Sequence, residues 1–290
     1  MAVSPLELLH EWVARQAGEQ TAWFERELSI LAEGGAAEST LHRFLGWVPR
    51  RLGRADLTLT SADLARAAQA RRGWNPSGWS LDGAARVAGL LAFQGERDFS
   101  AIFRDLVRTA DARELITLYR GLPLYPAPET LSFEVGEGLR SNMHGVFEAI
   151  AHANPYPQDH FDDHRFNHMV LKALFIGSRL GPIVGLEARA NVELAGILLD
   201  HVKEREAAGR AIDPELWRCI GPFAQDVGAY AALADALAGA PDERAAATLA
   251  LMMAVDTPET RELLDRVPEM RRRAIHGEID WNHLTCDEVA

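Results

Sequence analysis

Apolar residues recur at every third or fourth position along most of the chain, which is the spacing of one face of an α-helix. Between Pro5 and Glu33, for example, Leu6, Leu9 and Trp12 begin a stripe that continues through the segment. Period-two alternation is almost absent, and residues 57–60 are the single candidate strand. The pattern therefore predicts an all-α protein, a multi-helical array of a dozen or more helices of modest length.

Gly and Pro residues set the predicted ends of the helices. A short helix from Leu41 to Val48 ends at Pro49, and a long amphipathic helix extends from Phe133 to Ala153, with Met143 in its buried stripe. From Phe223 onward the helices are short, rich in alanine and leucine, and arranged in pairs. Such pairs are typical of α-hairpins stacked in a solenoid, which we expect for the C-terminal third.

No connecting segment is long or polar enough to predict a domain boundary, so residues 1–290 are expected to form a single all-α domain. The proline-rich segment 122–128 stiffens one connection and is the best place for a hinge. This hinge would separate the N-terminal helices from the C-terminal part of the chain.

Composition narrows the class of protein. The formal net charge of -12 argues against binding to nucleic acids, which requires a basic surface. Only two cysteines occur, Cys219 and Cys286, so a disulfide framework is excluded and a reducing compartment fits best. The N-terminus resembles neither a signal peptide nor a membrane span. A cytoplasmic protein is the resulting expectation.

The stretch from Asn154 to Asn191 contains most of the unusual chemistry. Two prolines stiffen its start, and a helix from about Phe161 to Ile176 follows. On that helix, Asn167 lies among apolar residues and is expected to bind either a backbone group of the adjacent loop or a ligand. Phe166 and Val170 lie on a row of this helix that is expected to be core. Lys172 is the only charge between His168 and Gly177, and the apolar residues around it predict that this half of the helix is packed on nearly all sides. It is expected either to form a structural ion pair or extend to water, or to bind an anion or serve as a catalytic amine.

Three histidines, His160, His164 and His168, repeat at four-residue spacing on the same helix. Two histidines one turn apart can bind zinc, but three such rings fan around the helix axis. The glutamate of the HExxH pattern is also absent, so no metal site is predicted.

A loop with three glycines and one proline follows, and it ends with Arg189 and Asn191 at the start of another helix. Helix N-termini favour anions because their backbone N–H groups are unpaired. Upstream, Arg120 ends a helix, and Arg140, His144 and Glu148 form a row of four-residue spacing, with Asn142 on the side expected to be buried. If these helices pack around the loop, several cations converge on one cavity.

Several phrases between Phe44 and Phe223 resemble the EboA family. They are Val48-Pro-Arg-Arg-Leu-Gly-Arg-Ala-Asp-Leu57, Leu118-Tyr-Arg-Gly-Leu-Pro-Leu124, Gly138-Leu-Arg-Ser-Asn-Met143, Asn154-Pro-Tyr-Pro157, Asn167-His-Met-Val-Leu-Lys-Ala-Leu-Phe175, Arg189-Ala-Asn191 and Glu215-Leu-Trp-Arg218. The family pattern has Asn-Gln-Met where this chain has Asn167-His168-Met169. The resemblance implies a shared ligand-binding set of Arg120, Arg140, Asn142, Asn167, Lys172, Arg189 and Asn191.

The resemblance also implies a genomic setting. The family occurs in bacterial gene clusters with a UbiA-type prenyltransferase, and cyanobacterial members are linked to moving a scytonemin precursor across the inner membrane. It implies a role in making or moving a specialised metabolite. The implied partners are a small-molecule metabolite and a membrane prenyltransferase or other pathway proteins. A peripheral position at the inner membrane is then an alternative to a freely cytoplasmic one.

Three functions follow as hypotheses. The first is an accessory protein that binds a polar or anionic intermediate in a helical pocket, without a cofactor. The second is a metal-independent enzyme with acid–base residues among Lys172, His144, Glu148 and His168. The third is an interaction scaffold that uses the C-terminal helical pairs. No nucleophile elbow, phosphate loop or dinucleotide fingerprint is present in the sequence, which argues against common hydrolases, kinases and dehydrogenases.

Overall fold

The computed structural model describes residues 3–282 and 284, and this part of the chain contains eighteen α-helices, five short 3-10 helices and no strand. The prediction of an all-α, multi-helical array is thus confirmed. Residues 57–60 do not form a strand; Leu57 donates a backbone hydrogen bond to Trp79, and one isolated bridge joins Asp56 to Ser80. Cys286 lies outside the described residues.

The chain divides into two compact units, residues 1–160 and 161–290. The predicted hinge at 122–128 lies inside the first unit, and both that hinge and the single-domain organisation stay predictions. The helices of the first unit are α1 (Pro5–Gln16), α2 (Thr21–Leu31), α3 (Glu38–Arg51), α4 (Ser61–Ala70), α5 (Leu81–Ala92), α6 (Phe99–Thr109), α7 (Ala112–Arg120), α8 (Ser132–Arg140), α9 (His144–Ala151) and α10 (Tyr156–His160), with 3-10 turns at Gly18–Gln20, Leu122–Leu124 and Pro128–Leu131.

Helix α5 is the centre of the first unit. It packs against α1, α2, α3 and α7, and small residues on its surface let these helices approach closely. A Cβ atom at Gly89 would lie 2.2 Å from the ring of Phe44 on α3, so this contact requires glycine. Helix α3 continues through Pro49 to Arg51, and the predicted end at Pro49 is wrong. Pro49 lies in the last turn of α3, where its missing N–H removes a single helical hydrogen bond, and the Leu52 N–H still donates to the Val48 carbonyl oxygen.

The long helix predicted from Phe133 to Ala153 is wrong, because the chain turns between α8 and α9. The Ser141 hydroxyl accepts a hydrogen bond from the Met143 backbone N–H at 3.1 Å, which stabilises the turn. The turn allows α8 and α9 to pack against each other, with Gly138 in close contact with Ile150. As a consequence, Met143 is 43% exposed although the sequence pattern placed it in the buried stripe.

The second unit contains α11 (Asp163–Ile176), α12 (Leu186–Arg189), α13 (Val192–Ala207), α14 (Trp217–Ile220), α15 (Tyr230–Ala238), α16 (Pro241–Met253), α17 (Pro258–Asp265) and α18 (Pro268–Ile275), with 3-10 turns at Pro214–Leu216 and Gly221–Phe223. The helix predicted from Phe223 begins only at Tyr230. Helices α15 and α16 pack as a pair, and α16 also contacts α14, α17 and α18. Gly221 permits the close approach to α16, because a Cβ there would lie 2.4 Å from the Ala250 carbonyl oxygen.

Candidate functional site

Two of the predicted site residues, Arg120 and Glu148, line the same cavity of the first unit. The cavity has a volume of about 200 Å³. It lies where the end of α7 meets α9 and the loop before α5, and we call it the Arg120 cavity. Its walls also contain Asn75, Ser77, Trp79, Ile116, Gly145, Ala149, His152, Ala153 and Asn154. A cation and a carboxylate therefore face one space that has both polar and aromatic walls.

Arg120 is the last residue of α7, and its side chain is partly withdrawn from water. Its Nη1 donates a hydrogen bond of 2.8 Å to the carbonyl oxygen of Gly78. Burial lowers the pKa of Arg120, because desolvation disfavours the charged guanidinium, and the negative charge of Glu148 only partly opposes this effect. A desolvated cation of this kind gains more from a bound anion or polar group than an exposed arginine would.

Glu148 lies between two histidines on the α9 surface. Its Oε1 atom is 3.4 Å from Nε2 of His144 and 3.7 Å from Nδ1 of His152. These residues extend the predicted row by one more turn, since 144, 148 and 152 are four residues apart. His152, with only 17% of its side chain exposed, is the more enclosed of the two histidines and was missed by the sequence prediction. The spacing of four was the signal that could have found it.

The segment beside the cavity is held in an unusual backbone conformation. Ala153 has a φ of 49°, in the left-handed region that costs a residue with a Cβ about 1 kcal/mol. The buried side chain of Asn154 stabilises this turn: its Nδ2 donates to the carbonyl oxygens of Tyr119 and Ala149, and its Oδ1 accepts from the N–H of Tyr156. Backbone strain that is maintained by such contacts is frequent at ligand sites.

The structure places Arg140 and Asn142 away from this cavity. Arg140 is 74% exposed and forms an ion pair with Glu137 on its own helix. Asn142 is exposed, and its predicted position on a buried face is wrong because the turn between α8 and α9 interrupts the helical periodicity. Neither residue lines the Arg120 cavity. Their assignment as ligand-binding residues stays a prediction.

In the second unit, Asn167 and Asn191 hydrogen-bond to each other. The Asn167 Nδ2 donates to Asn191 Oδ1 at 3.2 Å, and the Asn191 Nδ2 donates to Asn167 Oδ1 at 3.0 Å. Asn191 Oδ1 also accepts the Leu194 N–H at 2.9 Å, which caps α13 as the sequence predicted. Asn167 is 1% exposed, as its apolar neighbours indicated. The pair joins α11 to the start of α13.

Arg189 binds the start of α11. Its Nη2 donates to the Phe161 carbonyl oxygen and to Asp163 Oδ1, both at 2.9 Å. The guanidinium also lies over the ring of Phe166, with its carbon 4.9 Å from the ring centroid. We call Asn167, Asn191 and Arg189 together the Asn167 clamp. Three of the predicted ligand-binding residues thus have protein partners that join α11, α12 and α13, and a ligand role for them stays a prediction.

Lys172 is half-buried on α11, and burial lowers its pKa. The prediction that the second half of α11 is packed on nearly all sides is wrong, because Phe175 is 65% exposed and Ile176 is 37% exposed. His168 is exposed, with its ring centroid 4.3 Å from that of His164. Within residues 3–282 and 284, no group of three or more His, Cys, Asp or Glu residues is arranged to hold a metal ion.

Comparison with known protein families shows to which family the chain belongs. The sequence model of the family described as "Metabolite traffic protein EboA" matches residues 5–221. The chain belongs to the EboA family. The matched region includes both the Arg120 cavity and the Asn167 clamp. No curated protein and no solved structure shows a significant match to the chain. The description of the EboA family associates it with metabolite traffic.

One buried residue within the EboA match, Glu215, has a role that the sequence did not reveal. It is 3% exposed, and its carboxylate accepts hydrogen bonds from the backbone N–H groups of Leu180 and Gly181 at 2.7 and 3.1 Å. Arg179 and Arg218 each approach its Oε1 atom to 3.7 Å. Glu215 thus fixes the glycine-rich loop, and Gly181 is required because a Cβ would lie 2.8 Å from the carboxylate.

Among the described residues, no helix combines the length and the apolar character that crossing a bilayer requires.

Proposed function

We propose that this EboA-family protein is an accessory protein of specialised-metabolite biosynthesis or traffic that binds a small polar or anionic intermediate in the Arg120 cavity. The observation that carries the proposal is the convergence of Arg120 and Glu148 on one cavity of about 200 Å³. The family description, metabolite traffic, supports the general role.

The walls of the cavity suggest the chemistry of the ligand. The partly desolvated guanidinium of Arg120 favours an oxygen acceptor such as a carboxylate, phenolate or carbonyl group. Glu148 accepts hydrogen bonds, so it favours a hydroxyl or amine on the same ligand. Trp79 is 4% exposed and contributes an aromatic wall. A compact molecule with one apolar ring and polar groups at opposite ends fits these three features together.

Calorimetric titration of the purified protein with pathway intermediates tests the proposal. A ligand is expected to bind the natural protein and to bind Arg120→Met at least tenfold more weakly, because one charge-assisted hydrogen bond is lost. Arg140→Met is the matched control, since this arginine is 74% exposed and pairs with Glu137 on its own helix. Equal losses in the two variants, or no binding by any intermediate, would contradict the proposal.

An enzymatic role is the second candidate, and the arrangement of Glu148 between His144 and His152 favours it. A carboxylate beside an imidazole can orient that imidazole as a general base. Turnover of an intermediate by the purified protein, lost in Glu148→Gln while binding remains, would support catalysis. The same experiment with Lys172→Ala and His168→Ala tests the other acid–base candidates. Binding without turnover supports the accessory role.

We also propose that the second unit contacts a partner protein of the pathway, a membrane prenyltransferase being the candidate that the family setting suggests. Exposed apolar side chains occur in its C-terminal part: Val255, in the loop between α16 and α17, is 56% exposed, and Ile275, the last residue of α18, is 63% exposed. Co-purification with the prenyltransferase should be lost in a Val255→Asp, Ile275→Asp double variant. Co-purification at the natural level in that variant would argue against this surface. Such an association would place the protein at the cytoplasmic side of the inner membrane.

A further inference from the structure

A second cavity of the first unit lies between α3, α5, α6 and α7 and has a volume of about 160 Å³. Its polar lining residues are His42, Arg86, Thr109, Glu114 and Thr117, and its apolar ones are Leu45, Gly46, Leu106, Ala110 and Leu118. None of these residues lines the Arg120 cavity. The two cavities thus have no lining residue in common, and both lie against α7.

Arg86 is an unexpected residue at this place. Ten of the twelve residues of α5 are buried, Arg86 among them at 9% exposure. Withdrawing a guanidinium from water costs several kcal/mol unless hydrogen bonds and charge compensate. A buried arginine with a purely structural role is therefore expected to have its donors engaged by protein acceptors.

The donors of Arg86 are only partly engaged. Its Nη1 donates to Glu114 Oε1 at 2.9 Å, and no other hydrogen bond of this side chain exists among the residues that the structure describes. Its Nε is buried and has no partner in the same part of the chain. The other oxygen of Glu114, Oε2, accepts the backbone N–H of Asp111 at the start of α7 at 3.2 Å, and Glu114 makes a single hydrogen bond to the guanidinium. Among the described residues the edge of Arg86 formed by Nε and Nη2 has no acceptor, and because Nε is fully buried, a ligand oxygen reaches it only with a small shift of the side chain.

That edge has the geometry that a carboxylate recognises. Two parallel N–H groups of one guanidinium match the two oxygens of a carboxylate, and the resulting bidentate pair is stronger than a single hydrogen bond. Glu114 already neutralises one charge, so a monoanion suits the site better than a dianion such as phosphate. The remaining wall, with Leu45, Leu106 and Leu118, suits an apolar body. An apolar cavity of about 150 Å³ accommodates a benzene ring, so the volume fits a ligand of about one ring.

We propose that this space, the Arg86 cavity, binds a small monocarboxylate, with its carboxylate on the Nε and Nη2 edge of Arg86 and its apolar body against the leucines. The site is additional to the Arg120 cavity. With this second site, the first unit has two ligand-binding cavities beside α7, and the Arg86 cavity is the one selective for carboxylic acids.

Titration of the full-length protein with benzoate, benzyl alcohol and inorganic phosphate tests the ligand class. Benzoate should bind at least tenfold more tightly than its neutral counterpart, because the bidentate pair needs the carboxylate. In a nuclear magnetic resonance spectrum of ¹⁵N-arginine-labelled protein, benzoate should shift the Nε–H signal of Arg86. Absence of benzoate binding at millimolar concentrations, equal binding of benzyl alcohol, or a preference for phosphate would overturn the proposal.

Two variants locate the site. Arg86→Lys retains the charge but removes the two-pronged edge, so benzoate affinity should fall about tenfold or more. Arg43→Lys is the matched control on α3, because Arg43 is 54% exposed and pairs with Glu27. Gly46→Leu is a second test, which does not depend on whether the Arg86 variant folds. This variant is expected to fold, because a Cβ at Gly46 meets no atom within 4 Å and leucine is a better helix former than glycine. The added side chain should block the cavity and abolish benzoate binding without lowering the melting temperature. Natural affinity in Gly46→Leu would place benzoate elsewhere and overturn the assignment.

Discussion

The Arg120 cavity and the Asn167 clamp both contain polar residues that were predicted from the sequence as ligand contacts, but the surroundings of these residues differ in the structure. In the clamp, Asn167 and Asn191 satisfy each other, and Arg189 binds the carbonyl oxygen of Phe161. In the cavity, Arg120 and Glu148 face a space of about 200 Å³. Polar residues that satisfy one another stabilise the fold, whereas polar residues around a space can bind a ligand. Substitution should separate the two kinds by their effects on stability and on binding.

The largest loss of stability is expected at Glu215, a buried carboxylate of the second unit that accepts two backbone N–H groups. Glu215→Ala leaves the N–H groups of Leu180 and Gly181 without their acceptor and removes the negative charge beside Arg179 and Arg218. The free energy of unfolding should fall by about 4 kcal/mol, as for other buried ion pairs that lose one partner. Equilibrium unfolding in urea measures this change.

The control for this prediction is Glu187→Ala. Glu187 also forms an ion pair with Arg218, but it is 43% exposed. An exposed pair of this kind contributes less than about 1 kcal/mol. Equal losses in the two variants would show that the burial of Glu215 has no special importance.

The clamp itself should give the next largest effect. Asn167→Ala is expected to cost about 2 kcal/mol, because it leaves the half-buried amide of Asn191 with fewer partners. Asn191→Ala should cost about 3 kcal/mol, since it also removes the cap of α13. In the double variant the two losses should overlap by about 1 kcal/mol.

Urea unfolding of the two single variants and the double variant measures this coupling. The exposed Asn142→Ala is the control and should change stability by less than about 0.5 kcal/mol. Strictly additive losses would mean that Asn167 and Asn191 do not act as a pair.

The clamp lies in the second unit and the cavity in the first, so the contrast between them could reflect the unit and not the hydrogen-bonding partners. Asp63 separates these two explanations, because it is a polar residue of the first unit whose carboxylate has several protein partners. Its carboxylate accepts hydrogen bonds from Trp12 Nε1 at 2.9 Å and from Arg15 Nη2 at 2.8 Å. It also accepts the backbone N–H of Thr60 and thereby caps α4. The hydrogen bond from Arg15, together with those from Thr60, holds the pKa of Asp63 well below its usual value.

The pH dependence of stability follows from this lowered pKa. The unfolded chain takes up a proton on Asp63 near pH 4, before the folded protein does, so its contribution is complete above about pH 4. The contribution is lost as the pH falls from there towards the folded pKa. At pH 7, Asp63→Asn should cost about 2 kcal/mol, a value reduced by solvent screening because the side chain of Arg15 is 44% exposed. The difference in unfolding free energy between the natural protein and the variant should therefore shrink in acid. A difference that stays constant between pH 7 and pH 3 would contradict this account.

Sequence periodicity predicted the fold class and several local features. It identified the buried residues Phe166 and Val170 of α11, the burial of Asn167, and Asn191 as the cap of α13. Each of these depends on residues within a turn or two of each other, where helical spacing determines the side of the helix. The turn at Ser141 was missed, because the helical pattern continues across it and the packing of α8 against α9 overrides it.

The partners of the candidate site could not be predicted in the same way. Trp79 meets Arg120 and Glu148 from a loop about forty and seventy positions away in the chain, and periodicity does not indicate which helices meet. Glu215 belongs to Glu215-Leu-Trp-Arg218, one of the segments that resemble the EboA family. Nothing in its local pattern indicates that its carboxylate binds the backbone of Leu180. Arg86 also has no distinguishing pattern, since its buried position depends on four helices that surround it.

Apart from the control variants, the smallest effect on stability is expected at Arg120, and this prediction separates the cavity from the clamp most directly. Arg120→Met removes a partly desolvated charge, whose lowered pKa shows that the folded environment disfavours it. It also removes one hydrogen bond, to the exposed carbonyl oxygen of Gly78, which water can replace. The two changes oppose each other, so urea unfolding should give a free energy within about 1 kcal/mol of the natural value. If the free energy of unfolding fell as much as in Asn191→Ala, Arg120 would belong to the residues that stabilise the fold. The main argument that the cavity is a ligand site would then fail.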